Sequence, residues 1–165
     1  MKMKSLLAPA LLLLALQTPM AGADPAAATI ERGRFLVKFG GCNDCHTPGY
    51  AEAAGKLPES AWLTGAPVGF QGPWGTSYPG NLRLDVAKWS EEEWLSQARM
   101  QRMPPMPWFN LAALSDDDLR AMYRYIRTLG PSGQPAPAYV APGGVVTTPY
   151  IVFVPRVDAP KIAGK

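Results

Sequence analysis

Only two of the 165 residues are cysteine and only one is histidine. A structural zinc site built from four Cys or His ligands is therefore excluded; an Asp or Glu would have to complete it. An excess of one charge is also missing. The chain carries 16 basic and 13 acidic residues, and Lys2 and Lys4 fall in a leader argued below, leaving 14 against 13. That balance argues against nucleic-acid binding through a basic patch. Long apolar runs are absent as well: residues 6–16 make 11 apolar positions interrupted by Pro9, and residues 150–154 make five before Pro155. A helix crossing a bilayer takes about 20. Glycine and proline, in contrast, are plentiful at 16 and 18. They are too many for a bundle of long helices and too few for collagen or a wholly disordered chain, so one modest domain of short helices and long loops is expected.

The first 23 residues have the order of a secretory leader: M-K-M-K, the apolar run, then Q-T-P-M-A-G-A, with cleavage expected after Ala23. The mature chain would be exported to the periplasm, without a transmembrane segment; the alternative is a leader that stays uncleaved as an anchor, against which its short apolar run argues. In that oxidising compartment two nearby thiols pair unless something else consumes them.

Both cysteines and the histidine lie in one pentapeptide, Cys42-Asn43-Asp44-Cys45-His46. C-x-x-C-H is the attachment pattern of a c-type haem. Two thiols at this spacing can each add to one of the two vinyl groups on a haem edge, and the next residue brings an imidazole to the iron. The competing readings are weaker. A thioredoxin-like dithiol needs a βαβ setting, whereas residues 26–40 read as a helix. A plain disulfide would close a ring too short to gain much loop entropy and would leave His46 without a role. One haem c, bound through Cys42 and Cys45 with His46 on the iron, is the expectation.

With no second histidine, the sixth ligand must be a methionine, another weak ligand or nothing. The mature chain offers Met100, Met103, Met106 and Met122. Met122 falls in a helical pattern and reads as core, while Met100 lies near the end of another helix. Met103 and Met106 flank R-M-P-P-M-P-W, where Pro104, Pro105 and Pro107 stiffen the backbone. Both remain candidates on these grounds, Met106 being held by proline on each side.

Around this site three helices are legible. One spans about 26–39, with Asp24 as cap, Pro25 in its first turn and Gly40-Gly41 at its end. A second runs over about 91–101 from a Ser90/Glu93 capping box, and a third starts at Ser115 and stops at Gly130. Gly33, inside the first, implies a close approach by another backbone or ring. Residues 47–89 show no sustained period and read as a long loop folded on a ligand, with Trp62, Phe70, Trp74, Tyr78 and Leu82 as lining or ordinary core. Residues 131–165 read as a Pro-rich extension ending in one edge strand, a strap or a docking element.

Residues 29–130 resemble a class I c-type cytochrome domain, especially the haem domains of cytochrome subunits of bacterial periplasmic dehydrogenases. The resemblance is carried by R-G-R-F-L-V at 32–37, C-N-D-C-H, P-W-G-T-S-Y-P-G-N-L at 73–82, P-P-M-P-W at 104–108 and D-L-R-A-M-Y-R-Y-I-R-T-L at 118–129. It implies an all-α, cytochrome c-like fold of three or more short helices and long loops around one covalent haem. The domains would be a leader at 1–23, the cytochrome at 24–130 and the extension at 131–165. It selects Met106 as the sixth ligand beside His46, and adds Trp74, Tyr78 and Asn81 to the haem-binding set. Gly33 should cross the aromatic face of the last helix at Tyr125. Arg83 stands where the family carries Thr, which is expected to change hydrogen bonding near the propionates. The implied role is a periplasmic single-electron carrier rather than an enzyme, taking electrons from a dehydrogenase and passing them to an oxidase or another cytochrome. Two alternatives stand beside it: a haem subunit held permanently in a dehydrogenase complex, and a ligand sensor or peroxidase with an open sixth position. No distal histidine is available to the latter.

Overall fold

The computed structural model describes residues 24–156. Helix α1, Pro25–Phe39, starts where its signals place it: the Asp24 carboxylate accepts the Ala26 N–H and Pro25 occupies the first turn. Helix α6, Asp116–Leu129, is capped by the Ser115 hydroxyl, which accepts the Asp118 N–H, and three aspartates sit at the positive end of its dipole. Its buried residues Leu119, Met122, Tyr125 and Ile126 follow helical spacing and pack against Leu36 and Val37 of α1, so Met122 is core as expected. The two helices cross at Gly33. A Cβ there would stand 2.0 Å from the Ala121 carbonyl oxygen and 2.8 Å from the Tyr125 Cβ.

Helix α2, Cys42–His46, follows α1 after two glycines. Helix α4, Glu91–Ala98, opens on the complete Ser90/Glu93 capping box. It ends three residues earlier than its spacing suggests. Arg99 and Met100 turn their N–H groups back to the Ser96 and Gln97 carbonyls, tightening the last turn. A short α5, Trp108–Ala112, leads into α6. Trp62, Leu63, Val86, Trp94 and Leu95 complete the core against α1 and α6.

Residues 47–89 hold more order than a loop. A one-turn 3-10 helix occupies Glu59–Ala61, strands β1, Gly69–Gly72, and β2, Gly75–Ser77, form a hairpin, and α3 spans Leu82–Lys88. The all-α expectation is corrected accordingly: the protein is mostly helical with a small mixed sheet. Strands of three and four residues are too short for alternation to show in sequence. The sheet's third member, β3, Tyr150–Val152, comes from the extension and lies parallel to β1, giving the order β2-β1-β3. Of the roles read for the extension, the edge strand is present. On its way there the extension also straps the domain. The Ser132 and Gln134 carbonyls accept from Asn81, Val140 bridges Thr76, and the Tyr139 hydroxyl donates to the Trp74 carbonyl.

Among the described residues no helix is long and apolar enough to cross a membrane. The expected leader at 1–23 lies outside the described residues, as do residues 157–165.

Several carboxylates tie the helices together. Arg32 pairs with Asp118 between α1 and α6, and Arg120 and Arg124 of α6 pair with Glu91 of α4. Hydrogen bonds from Arg32 hold Asp118 below its ordinary value, and those from Arg124 and Arg120 do the same for Glu91. Burial pushes Glu59 upward, but Arg34 and the Tyr125 hydroxyl donate to it and bring it below its ordinary value on balance. A depressed folded-state pKa stabilises the fold above the unfolded value and loses that contribution as pH falls through the folded value. Thermal unfolding measured between about pH 6 and pH 3 should therefore show a melting temperature that falls only below about pH 4.5. A flat profile across that window would contradict these pairings.

Candidate functional site

The two glycines after α1 set the geometry of the pentapeptide. Gly40 ends α1, its N–H reaching back to the Leu36 carbonyl, and Gly41 turns the chain through φ +68°, in the region that favours glycine. Cys42 then begins a single helical turn. Positions i, i+3 and i+4 of a helix share a face, so Cys42, Cys45 and His46 are presented together. Both cysteines are free thiols. Burial pushes the Cys42 thiol up to about 11, and burial followed by the nearby Asp44 carboxylate raises Cys45 as well.

His46 is buried, and its Nδ1 lies 2.7 Å from the Gly80 carbonyl oxygen. A carbonyl only accepts, so Nδ1 carries the proton and Nε2 keeps its lone pair for an external partner. Burial, partly offset by that hydrogen bond, holds the imidazole below its ordinary pKa and therefore neutral. The backbone is fixed from the other side, where the Gly65 N–H donates to the His46 carbonyl at 2.8 Å. Next to it the Thr47 hydroxyl donates to Asn43 Oδ1 at 2.7 Å and accepts the Leu63 N–H at 2.8 Å. Neither Asn43, Thr47 nor Gly80 stands out in the sequence. The first two carry only the i, i+4 signal of a buried polar pair, and Gly80 acts through its backbone.

Met106 lies half-buried in the loop between α4 and α5, whereas Met103 and Met100 are exposed. Its N–H donates to the Met103 carbonyl, and its own carbonyl accepts from Trp108 at 2.8 Å, the start of α5. The loop is tethered to the sheet by the Ser77 hydroxyl, which donates to the Pro104 carbonyl at 2.5 Å. Ser77 ends β2, three residues before Gly80, so one segment supports both the methionine loop and the histidine.

Trp74, Tyr78 and Asn81 sit on that same segment. The Trp74 ring covers Gly72 and its indole N–H donates to the Phe70 carbonyl; the Tyr78 hydroxyl meets Thr148 at 2.7 Å. Asn81 is the N-cap of α3, accepting the Leu84 N–H while its amide donates to Ser132 and Gln134. Arg83 spends its guanidinium on the carbonyls of Ser60, Leu129 and Gly130. Trp62 is core, edge-on to Tyr50.

The donor set fits the haem c read from the motif: two unpaired thiols and a neutral imidazole on one face, with a thioether in a braced loop. Among the described residues no three His, Cys, Asp or Glu side chains gather to hold a bare metal ion.

Comparisons with known proteins agree. The Cytochrome c family model matches residues 30–130. The chain is 29% identical over 134 residues to a nicotinate dehydrogenase subunit of Pseudomonas putida, covering 73% of this chain and 10% of that protein. It is 31% identical over 126 residues to the gluconate 2-dehydrogenase cytochrome c subunit of Pantoea cypripedii, covering 68% and 28%. To the cytochrome c subunit of the quinone alcohol dehydrogenase of Gluconobacter oxydans it is 30% identical over 113 residues, covering 62% and 22%. It thus spans between a tenth and just over a quarter of the length of these curated relatives. No solved structure matches.

Proposed function

The chain belongs to the cytochrome c family, and from that premise we propose that it is a periplasmic monohaem electron carrier with His46 and Met106 as axial ligands. The observation that carries this reading is the His46–Gly80 hydrogen bond, because it leaves a neutral, oriented Nε2 on the same face as two free thiols. Family membership implies a haem group and electron transfer. The ligand pair, the exported location and the site residues are the finer part of the proposal.

Cys42 and Cys45 would hold the haem through thioethers, and His46 and Met106 would ligate its iron. The bound haem supplies a single reversible electron, cycling between ferrous and ferric iron. The chain's own residues set the conditions for that exchange. Gly80 orients the imidazole and increases its donor strength. The Ser77–Pro104 bond and the prolines fix the methionine loop, so the thioether need not be reorganised as the charge changes. Methionine ligation together with apolar surroundings raises the potential. Trp74, Tyr78 and Asn81 are proposed to flank the haem; each is braced by backbone or by the extension.

Carriage between proteins is favoured over permanent assembly, although the relatives' names, which are those of dehydrogenase subunits, support the second reading. Purification from the source organism separates the two: a free carrier elutes without any other polypeptide, a bound subunit together with its dehydrogenase partners. Ligation is tested by the visible spectra of the ferric and ferrous protein. Wild type should show the weak long-wavelength band of sulfur-ligated ferric haem and should not bind carbon monoxide. Met106→Ala should lose that band entirely, bind carbon monoxide and show a lowered potential. A wild type that already binds carbon monoxide and lacks the band would move the sensor or peroxidase reading to the front.

A further inference from the structure

The extension lies outside the residues that the family model matches, and its described part carries an edge that ordinary folds protect. Strand β3 and the two residues after it read Tyr150-Ile151-Val152-Phe153-Val154, each with 42–52% of its surface exposed. No charged side chain falls between residues 147 and 155, and Pro149 and Pro155 bound the segment. The opposite edge of the sheet is closed by the chain itself, where Thr76 and Val140 exchange backbone hydrogen bonds. Among the described residues nothing pairs with the outer edge of β3. An apolar, uncharged, open edge is a template for another strand.

The geometry of that edge identifies the strand. The Pro149 carbonyl and the Phe153 N–H bond to β1, and Ile151 sits opposite Phe70 in the parallel ladder. Backbone direction alternates along a strand, so Tyr150, Val152 and Val154 turn both their N–H and C=O groups outward. An array of three outward residues is its own antiparallel complement: Val152 meets Val152, and Tyr150 meets Val154. The side chains agree with this register. Val152 and Val154 line a hollow of about 300 Å³ between the hairpin and the extension, floored in part by Gly72 and Pro142. In the antiparallel register the opposing Tyr150 lies on the same face as Val154, at the mouth of that hollow. One patch thus supplies both the projecting ring and its receptacle, as a two-fold contact requires. With no charge in the segment, no like charges are brought together.

We propose that β3 is a dimerisation strand, through which a second copy of this chain pairs edge to edge and antiparallel, joining the two three-stranded sheets into one. Sedimentation equilibrium of the purified holoprotein should give twice the monomer mass. Val152→Lys, which places a charge on the axis, and Val152→Pro, which removes only an outward N–H, should each halve it. Their visible spectra should match wild type, showing that the domain still folds around its haem. Val152→Cys should form a covalent dimer on mild oxidation, whereas Ile151→Cys, which faces Phe153 of the other copy, should not. A monomeric wild type overturns the proposal, as does a dimer whose mass neither substitution changes. Because electron carriage is read from the spectrum and dimerisation from mass, the two readings fail separately.

Discussion

Gly33→Ala should lower the melting temperature by about 15 °C or more, or prevent accumulation of the holoprotein altogether. The new methyl would stand 2.0 Å from the Ala121 carbonyl oxygen and 2.8 Å from the Tyr125 Cβ, both parts of α6 that cannot rotate aside. The helices would have to separate by more than an ångström. Leu36, Val37, Tyr125 and Ile126, all buried at this crossing, would lose packing together. Overpacking in a core ordinarily costs about 1–3 kcal/mol, and here the obstacle is backbone rather than a side chain that can repack. The functional consequence follows from connectivity, because α1 delivers Cys42 within three residues of its end. A displaced α1 displaces both thiols. Calorimetry of the variant checks the first effect and the yield of covalently attached haem checks the second; a variant melting within a few degrees of wild type would show that the crossing is looser than this contact implies.

The parts of the fold legible in sequence are those with local signals. Asp24 and Pro25, the Ser90/Glu93 box and Ser115 mark three helix starts because a cap is read from adjacent residues. The pentapeptide is legible because its chemistry is confined to one helical turn. What escapes is what depends on distant partners. Helix α3 has seven residues, too few for a period, and its cap Asn81 also serves the extension, so its two roles mask each other. The hairpin strands are glycine-rich and short, and β3 finds β1 across some eighty positions of chain. The proton position on His46 is not legible either, because the group that fixes it is the backbone carbonyl of Gly80, which carries no side-chain signature. Gly33 is legible as a close approach, and the resemblance supplies the Tyr125 contact that the structure shows.

Arg83 illustrates how a departure from the family pattern can be absorbed elsewhere. Standing where the family carries Thr, it is expected from sequence to alter hydrogen bonding near the propionates, yet two of its donors go to the end of α6 and the third to the 3-10 turn at Glu59–Ala61. Its Nε donates to the Gly130 carbonyl at 2.6 Å, one terminal nitrogen to Ser60 at 2.7 Å and the other to Leu129. Two of these acceptors are the last carbonyls of a helix, where the dipole is negative and a cation is favoured. Burial lowers the Arg83 pKa, but a guanidinium starts so far above neutrality that it keeps its charge. Arg83→Thr should therefore destabilise the protein by about 2–4 kcal/mol, since one short hydroxyl cannot reach three carbonyls and those left behind are poorly hydrated. Arg83→Lys should recover part of the loss, because it restores the charge without the planar fork. Denaturant unfolding of the three proteins measures this directly. An Arg83→Thr protein within about 0.5 kcal/mol of wild type would mean that water replaces the fork at little cost. The visible spectrum adds a separate readout. If the guanidinium serves these three carbonyls alone, wild type and Arg83→Thr should share the same bands under native conditions, whereas altered bands would return Arg83 to the surroundings of the haem.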